Sequence, residues 1–268
     1  MTKKALIVGI SEYAPLQPNL ASSLFEIEQW RDLLVDHYGF ADKDIRLLAQ
    51  RRATKQAILD RLMWLLGNAQ DGDQLVFIYC GHGVRAHRRD SAGDLLDLQD
   101  EGLVAYPGGA ADPLDVAIFD DDLSALYSSM AVPARALPTF ILDCCYSGGM
   151  DFPEPELLRK SIILPVDLAH RNRSATEVVR FGLHVTRTSA CTHPLILAAS
   201  GERDLAIEVE RADRPRSLFS CLAIAALREN PTLTYQELMA TIVPLMQEVA
   251  QEPCLRGDAE RKQGQFLK

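Results

Sequence analysis

Two apolar segments that end abruptly in glycine-containing polar turns constrain the fold of this chain more than any other feature. One covers residues 139–142 and is followed at 143–149 by Asp-Cys-Cys-Tyr-Ser-Gly-Gly. The other covers residues 75–79 and is followed at 80–83 by Cys-Gly-His-Gly. Short continuous apolar runs of this kind are typical of buried strands in parallel sheets. Since open α/β folds bind ligands at the carboxyl edge of such a sheet, the sequence predicts a site there.

The rest of the chain alternates between short apolar runs and amphipathic stretches. This alternation predicts one α/β domain over residues 1–268, with a mostly parallel six-stranded sheet and helices on both faces. The predicted strands are 4–10, 44–48, 74–80, 139–143 and 195–200, with a short strand or turn at 204–209. The predicted helices are 22–38, 53–69, 120–130, 217–229 and 234–249. A polar loop or lid is predicted at 84–116, and a long Arg-rich linker at about 151–192.

Composition and charge restrict the partners and the location of the protein. The net charge of −9 argues against nucleic acid as a main partner and fits cationic ligands or metal ions better. No apolar run approaches the ~20 residues that a membrane span needs, and the N-terminal apolar run falls short of the roughly 7–15 residues of a signal-peptide core. Six scattered cysteines without a disulfide framework then favour reduced thiols and a cytoplasmic location.

The thiol of Cys145 and the imidazole of His82 are candidates for a nucleophile and its base. Each residue follows an apolar strand and has glycines close by. An imidazole near a thiol lowers the pKa of that thiol and can later protonate the leaving amine. Glycines allow close backbone approach to a substrate and can aim N–H groups at an oxyanion. The alternative is that both residues are buried and structural, as cysteines often are.

Several motifs together resemble the caspase-like cysteine peptidases, and most closely the short prokaryotic metacaspases, or orthocaspases. Residues 79–83 resemble the Ser/Tyr-Gly-His-Gly motif of that clan, and residues 143–148 resemble its Asp-(Ser/Cys)-Cys-His-Ser-Gly motif. The segments 4–10, 118–123, 195–200 and 251–257 resemble further family elements, so the resemblance runs nearly end to end. Tyr146 departs from the family pattern, which usually has His at that position.

The resemblance implies a caspase-like three-layer sandwich and a cysteine endopeptidase. Cys145 would attack the scissile carbonyl and form a thioester, while His82 would act as base and acid. The backbone N–H groups of Cys145 and Gly83 would bind the oxyanion. Cys144 would then be a supporting neighbour of the nucleophile.

The resemblance also implies a pocket for a basic substrate residue. Asp143, two residues before the nucleophile, matches the acid that binds the P1 side chain, and Cys80 matches a lining position. Glu26 could supply a second carboxylate; the alternative is a solvated position on a helix face. Two carboxylates around a guanidinium would form charge-assisted, forked hydrogen bonds, which predicts cleavage after Arg and secondarily after Lys.

The resemblance further implies calcium as an activator, and the acidic residues outside the pocket suit such a site, because Ca²⁺ takes oxygen ligands and needs no His or Cys. Four of them match the positions used by calcium-dependent metacaspases: Asp100, Asp120, Asp121 and Asp151. The alternative is that these residues cap helices and coat loops.

The Arg-rich linker at 151–192 suggests how the protein is regulated. If the enzyme cuts after basic residues, its linker at 151–192 is a substrate for itself or for an activating protease; the alternative is a solvated loop that is not cut. The family resemblance implies a monomer and a possible role in prokaryotic cell death or defence. The rival functions are a catalytically idle caspase-like scaffold and a flavodoxin-like binding module, although the latter lacks a glycine-rich phosphate loop after the first strand.

Overall fold

The chain folds into thirteen strands and seven helices over the residues that the structure describes. This computed structural model describes residues 1–14, 16–89, 95–110, 112–130, 132–133, 136, 138–144, 158–159, 161–162, 194–200, 206–211 and 214–268. The strands are β1 Lys3–Gly9, β2 Ile45–Ala49, β3 Gln74–Cys80, β4 Gly83–Arg89, β5 Leu95–Val104, β6 Ala117–Phe119, β7 Thr139–Asp143, β8 Leu158–Arg159, β9 Ser161–Ile162, β10 Leu195–Ala198, β11 Ile207–Arg211, β12 Arg214–Ser217 and β13 Cys254–Arg256. The helices are α1 Ser23–Tyr38, α2 Lys55–Leu66, α3 Pro113–Val116, α4 Asp120–Ser129, α5 Leu218–Glu229, α6 Tyr235–Gln247 and α7 Ala259–Gln263.

Six strands form the central sheet, in the order β13-β10-β7-β3-β1-β2. All neighbouring pairs are parallel except β10 and β13, which are antiparallel. The apolar runs in β1, β3 and β7 are buried along nearly their whole length, as expected for central strands covered on both faces. The prediction of a mostly parallel six-stranded sheet is therefore confirmed.

Helices cover both faces of this sheet and produce two cores. On one face, Leu6 and Phe77 belong to a cluster that includes residues of α2 and α4. On the other face, their strand neighbours Ile7 and Ile78 belong to a cluster that includes residues of α1, α5 and α6. This alternation follows from the two-residue repeat of a strand, which sends successive side chains to opposite faces.

The segment predicted as a loop or lid at 84–116 is different in the structure. Its described residues form most of the antiparallel pair β4–β5, and β6 and β9 extend this pair to a four-stranded sheet in the order β6-β5-β4-β9. The prediction of a loop was wrong because 84–102 is mostly polar and gives little apolar alternation. At the open end of the hairpin, Val84 of β4 and Leu103 and Val104 of β5 are buried in one of the two cores.

A third, three-stranded sheet in the order β12-β11-β8 lies beside the amino end of α1. The carboxylate of Glu208 in β11 accepts hydrogen bonds from the backbone N–H and the hydroxyl of Ser22, which precedes α1. Gln251 joins β11 to the end of β10, since it accepts from Ile207 N and donates to Ala199 O. These buried contacts fix the positions of α1 and β12, and both elements contribute to the candidate site.

Candidate active site

The register between β3 and β7 brings the two sequence motifs to the same edge of the sheet. Cys80, the last residue of β3, is paired in parallel with Asp143, the last residue of β7. Gly81 N then donates to the carbonyl of Asp143 across the two strand ends, at 3.3 Å. His82 follows Cys80 by two positions, and Cys145 follows Asp143 by two positions. The structure describes His82 but not Cys145, so the predicted nucleophile lies outside the described residues.

The imidazole of His82 is buried and held by the loop that follows β1. Its Nε2 lies 2.9 Å from the carbonyl oxygen of Pro18. A carbonyl oxygen only accepts hydrogen bonds, so in the neutral ring Nε2 carries the proton and Nδ1 is the basic nitrogen. Asn19 positions this loop, since its side-chain oxygen accepts from the backbone N–H groups of Tyr13 and Ala14. The sequence pattern identified His82 but gave no signal for the orienting carbonyl of Pro18.

Two tyrosine hydroxyls hold the backbone of His82. Tyr13 Oη accepts from His82 N at 3.0 Å, and its ring meets the imidazole edge-on with the centroids 4.5 Å apart. Tyr79 Oη lies 2.8 Å from the carbonyl oxygens of both His82 and Val104. Burial raises the pKa of the Tyr13 phenol well above its usual range, so this hydroxyl stays protonated and neutral. The imidazole is thus fixed by its ring and by its backbone, as a preorganised base requires.

Gly81 is required by the same tyrosines. A methyl group at this position would collide with the hydroxyls of Tyr13 and Tyr79. Its N–H is already bonded to Asp143, so the structure gives Gly81 a packing role rather than a role as an oxyanion donor. The predicted donor Gly83 lies at the start of β4, opposite Leu103 of β5 and Ser161 of β9.

The carboxylate of Asp143 is fully buried on the face covered by α1 and α5. Its Oδ2 accepts from Ser220 Oγ at 2.5 Å, and Ser220 Oγ in turn accepts from Trp30 Nε1 at 2.9 Å. Trp30 lies on α1 and Ser220 on α5, so the hydrogen-bonded chain ties the end of β7 to both helices. Asp143 therefore has one fixed orientation at the carboxyl edge of the sheet.

Glu26 is a second fully buried carboxylate on the same face, and it forms an ion pair. Its Oε1 accepts from Arg216 Nε at 2.8 Å and from the backbone N–H of Ser217 at 3.1 Å, and its Oε2 lies 3.5 Å from Arg216 Nη2. The predicted alternative of a solvated position is wrong, because Glu26 is 0 % exposed. Sequence reasoning missed Arg216, since it lies almost two hundred residues from Glu26 in the chain.

The first turn of α5 connects the two carboxylates. Glu26 accepts from Ser217, which precedes the helix, and Asp143 accepts from Ser220, which lies in the first turn. Residues three apart on a helix are neighbours, and a helix N-terminus favours negative charge. Two more buried hydroxyls, Ser23 Oγ and Ser217 Oγ, have no hydrogen-bond partner among the described residues. We name this group of five fully buried polar residues the carboxylate pocket: Ser23, Glu26, Asp143, Ser217 and Ser220.

Cys80 borders this pocket but is packed in the core. It is fully buried in the cluster that includes Ile7, Ile78 and Ile27. Gly9 lies beside it on β1, and a methyl group there would contact Ile27 at 2.7 Å. The absence of a side chain at Gly9 therefore lets α1 approach the sheet closely at this end.

The predicted calcium ligands are only partly within the described structure. Asp120 begins α4, and the backbone positions of Asp100 and Asp121 lie in β5 and α4, whereas Asp151 lies outside the described residues. Asp122 has a capping role: its Oδ2 accepts from Phe119 N at 3.1 Å and pairs with Lys55 at 3.2 Å. Among the side chains that the structure describes, no three His, Cys, Asp or Glu residues form a metal-binding group. No helix in the described part of the chain is long and apolar enough to cross a membrane.

Comparison with known sequences identifies a family that matches this region. Residues 3–153 match the family described as metacaspase, peptidase C14 domain. Metacaspase-1 of Schizosaccharomyces pombe is 31% identical over 180 residues, which cover 59% of this chain and 40% of that protein. Metacaspase-1 of Cryptococcus neoformans is 28% identical over 291 residues, which cover 90% of this chain and 59% of that protein. The chain thus spans only 40% and 59% of the length of these two relatives.

Comparison with solved structures finds the same fold. A crystal structure of a protein from Geobacter sulfurreducens superposes with a TM-score of 0.71 at 17% identity and covers 100% of this chain and 99% of that one. The crystal structure of caspase-1 from Spodoptera frugiperda superposes with a TM-score of 0.59 at 13% identity, covering 94% and 85%. These likenesses confirm the predicted caspase-like α/β sandwich.

Proposed function

Because the chain belongs to the metacaspase family of C14 peptidases, we propose that it is a cysteine endopeptidase. His82 is its general base and acid, and Cys145 is its nucleophile. The observation that carries this proposal is the pairing of Cys80 with Asp143, which ends β3 and β7 at the same level of the sheet, directly before the His82 and Cys145 motifs. The bond from His82 Nε2 to the carbonyl of Pro18 supports Nδ1 as the nitrogen that accepts the thiol proton.

The reaction that follows is acyl transfer through a thioester. His82 takes the proton of the Cys145 thiol, and the thiolate adds to the scissile carbonyl carbon. The negative oxygen is stabilised by the backbone N–H groups of Gly83 and Cys145. His82 then gives its proton to the leaving amine, and water, activated by the same imidazole, hydrolyses the thioester.

The substrates we propose are proteins and peptides with Arg, and secondarily Lys, at P1. The carboxylate pocket supports this choice, since it holds two buried acids and three buried serine hydroxyls, and the lone pairs of these oxygens suit a multi-donor cation. Arginine fits best because its planar fork can donate to several of these oxygens at once. The proposal also includes a monomer, since the sheet ends at β13, a three-residue strand that offers a short edge for pairing.

A panel of fluorogenic peptides that differ only at P1 tests this function. We expect the order Arg, Lys, Ala, Asp in kcat/KM, with Arg at least about 10²-fold above Ala, because a buried charge pair contributes several kcal/mol to binding. Cys145→Ala protein from the same preparation controls for contaminating proteases. A preference for Asp would disprove the pocket assignment alone, whereas no cleavage of any peptide by the full chain, with or without calcium, would disprove the peptidase.

Calcium is proposed as an activator that binds Asp100, Asp120, Asp121 and Asp151. The backbone brings Asp100, Asp120 and Asp121 near one another, because the β5–β6 register pairs Gly102 with Phe119. Asp100 lies two residues before that pair on β5, and Asp120 directly follows it at the start of α4. Carboxylate oxygens from separate segments are the ligands that Ca²⁺ prefers. Bound calcium would neutralise these acids and hold β5 and α4 together beside the site.

Self-cleavage in the linker is the regulation we propose. Of the linker, the structure describes only β8 and β9, which lie on either side of Lys160. Arg159 in β8 pairs antiparallel with Ile207 of β11, and Ser161 in β9 pairs with Gly83, the predicted oxyanion donor next to His82. Pairing of an extended segment with exposed strands is a common mode of peptide recognition. The bonds after Arg159 and Lys160 are therefore the proposed self-cleavage sites.

Intact-mass analysis after calcium addition tests both regulatory proposals. We expect the wild-type mass to be replaced by the masses of two fragments. The first fragment should end at Arg159 or Lys160, and the second should begin at the following residue. EGTA should prevent this cleavage. The double variant Arg159→Gln/Lys160→Gln should remain uncut, while Arg187→Gln, elsewhere in the same linker, should be cut like wild type. Equal cleavage in EGTA would disprove the calcium proposal alone. Cleavage confined to other sites would disprove the assignment to β8 and β9.

A further inference from the structure

Among the residues that the structure describes, Arg216 is a cation bonded to an acid of the carboxylate pocket, and its presence there runs against the proposed substrate. Its guanidinium bonds to both oxygens of the fully buried Glu26, at 2.8 Å from Nε and 3.5 Å from Nη2, while 17% of its own side chain is exposed. The guanidinium also lies over the ring of Phe25, 4.4 Å from the centroid. A cation from the chain itself thus sits on one of the two acids that would bind a P1 cation.

Arg216 is partly exposed and reaches Glu26 from β12, whereas the hydrogen bonds that hold Asp143 come from α5 and, through Ser220, from α1. Asp143 is bonded on its inner side to Ser220 and through it to Trp30. Glu26 instead faces β12, where Arg214 and Arg216 both lie over Phe25 and Arg214 is exposed. The ion pair resembles the proposed substrate contact, since a guanidinium meets the carboxylate of Glu26, which also accepts a hydrogen bond from Ser217 N.

We propose that Arg216 is a specificity-determining residue that competes with the P1 side chain of the substrate for Glu26. This inference rests on the proposed function. In the ion-paired state the charge of Glu26 is compensated, so a P1 cation obtains its charge pairing chiefly from Asp143. Full use of both acids requires Arg216 to release Glu26. Since Arg216 is attached to the chain, its effective concentration at Glu26 is high, and only a P1 group that pairs strongly with the pocket displaces it.

Competition of this kind predicts a specific kinetic signature. Removing Arg216 takes away a bound competitor and a positive charge near the P1 cation, so KM for an Arg-P1 peptide should fall while kcat stays close to wild type. The effect of Glu26→Gln should then depend on residue 216. In wild type it should raise KM by a small factor, because the lost charge was already compensated. In the Arg216→Gln background it should raise KM by a larger factor, because Glu26 then binds the substrate.

A double-mutant cycle on the full chain tests the proposal. We expect Arg216→Gln to lower KM for the Arg-P1 peptide about 5-fold. Glu26→Gln should raise KM about 2-fold in the wild-type background and about 10-fold in the Arg216→Gln background, which correspond to about 0.4 and 1.4 kcal/mol. Arg214→Gln is the matched control, since Arg214 is exposed and its guanidinium also lies over the ring of Phe25. The substitution removes the same charge, and the KM of this variant should equal that of wild type. Melting temperatures of all variants identify any loss of folding, which burial of an uncompensated Glu26 would favour.

The outcomes separate this inference from the proposed function. A rise in KM for Arg216→Gln, or equal effects of Glu26→Gln in both backgrounds, would disprove the competition while leaving the peptidase intact. An equal fall in KM for Arg214→Gln would show a general effect of surface charge and would also disprove it. If Arg216→Gln fails to fold, Arg216→Lys replaces it in the cycle: a lysine keeps the charge but loses the fork, so KM should still fall, and an unchanged KM would disprove the proposal. Absence of cleavage by wild type would instead disprove the peptidase.

Discussion

Replacing His82 with asparagine should lower kcat/KM for an Arg-P1 peptide by about 10³-fold, within the range that general acid–base catalysis contributes. Asparagine fits within the space of the ring and keeps a polar amide, but it cannot take up a proton near neutral pH. The backbone bonds from Tyr13 and Tyr79 to residue 82 do not depend on its side chain. The loss should therefore appear mainly in kcat, with KM changed little.

Two controls accompany His82→Asn: the same substitution at another histidine, and the melting temperature, which reports folding. His37, exposed in the last turn of α1, is the matched position, and His37→Asn should retain wild-type kinetics. The melting temperature should fall only modestly, since the substitution leaves the Tyr13–Tyr79 bonds in place. Wild-type turnover by a folded His82→Asn protein would show that another group is the base, and the assignment of Nδ1 would be wrong.

The strands of the site could be predicted from sequence because their signal is local. β3 and β7 are short apolar runs bounded by polar turns, and burial on both faces of a parallel sheet is what makes such runs apolar. Glycine next to His82 was also informative, although the reason differs from the one expected: Gly81 makes room for two tyrosine hydroxyls. The hairpin β4–β5 gave no such signal, since backbone pairing holds its polar part.

The residues that sequence reasoning missed act through contacts between distant segments. Pro18 contributes a backbone carbonyl, which has no residue-type signature at all. Ser220 and Arg216 are ordinary surface residue types, and only the approach of α5 and β12 to α1 turns them into pocket groups. Glu26 shows the opposite case. A motif made it a candidate for the second carboxylate of the pocket, whereas its ion pair with Arg216 could not be predicted from the sequence. Such partners are set by tertiary packing, which the local pattern does not encode.

Replacing Asp143 with asparagine should remove most of the proposed preference for basic P1 residues. The substitution is nearly isosteric, and the amide oxygen can still accept from Ser220, so the chain from Trp30 to residue 143 is retained. What is lost is the ionisable group of a fully buried carboxylate in the carboxylate pocket. We expect kcat/KM for the Arg-P1 peptide to fall about 10²-fold, or about 3 kcal/mol, as for loss of one partner of a buried charge pair. The Ala-P1 peptide should change little, so the Arg-to-Ala ratio should collapse.

Asp73 provides the matched control for Asp143→Asn. It is a buried carboxylate just before β3, at the opposite end of the same sheet, and accepts from the backbone N–H groups of Thr2 and Gln70. These bonds lower the pKa of Asp73, so it stabilises the fold above its unfolded-state pKa, and that contribution is lost as the pH falls through the folded-state value. Asp73→Asn should therefore reduce stability near neutral pH and leave the Arg-to-Ala ratio intact. If Asp143→Asn keeps the wild-type ratio in a folded protein, Asp143 is a structural acid and the basic P1 specificity comes from elsewhere.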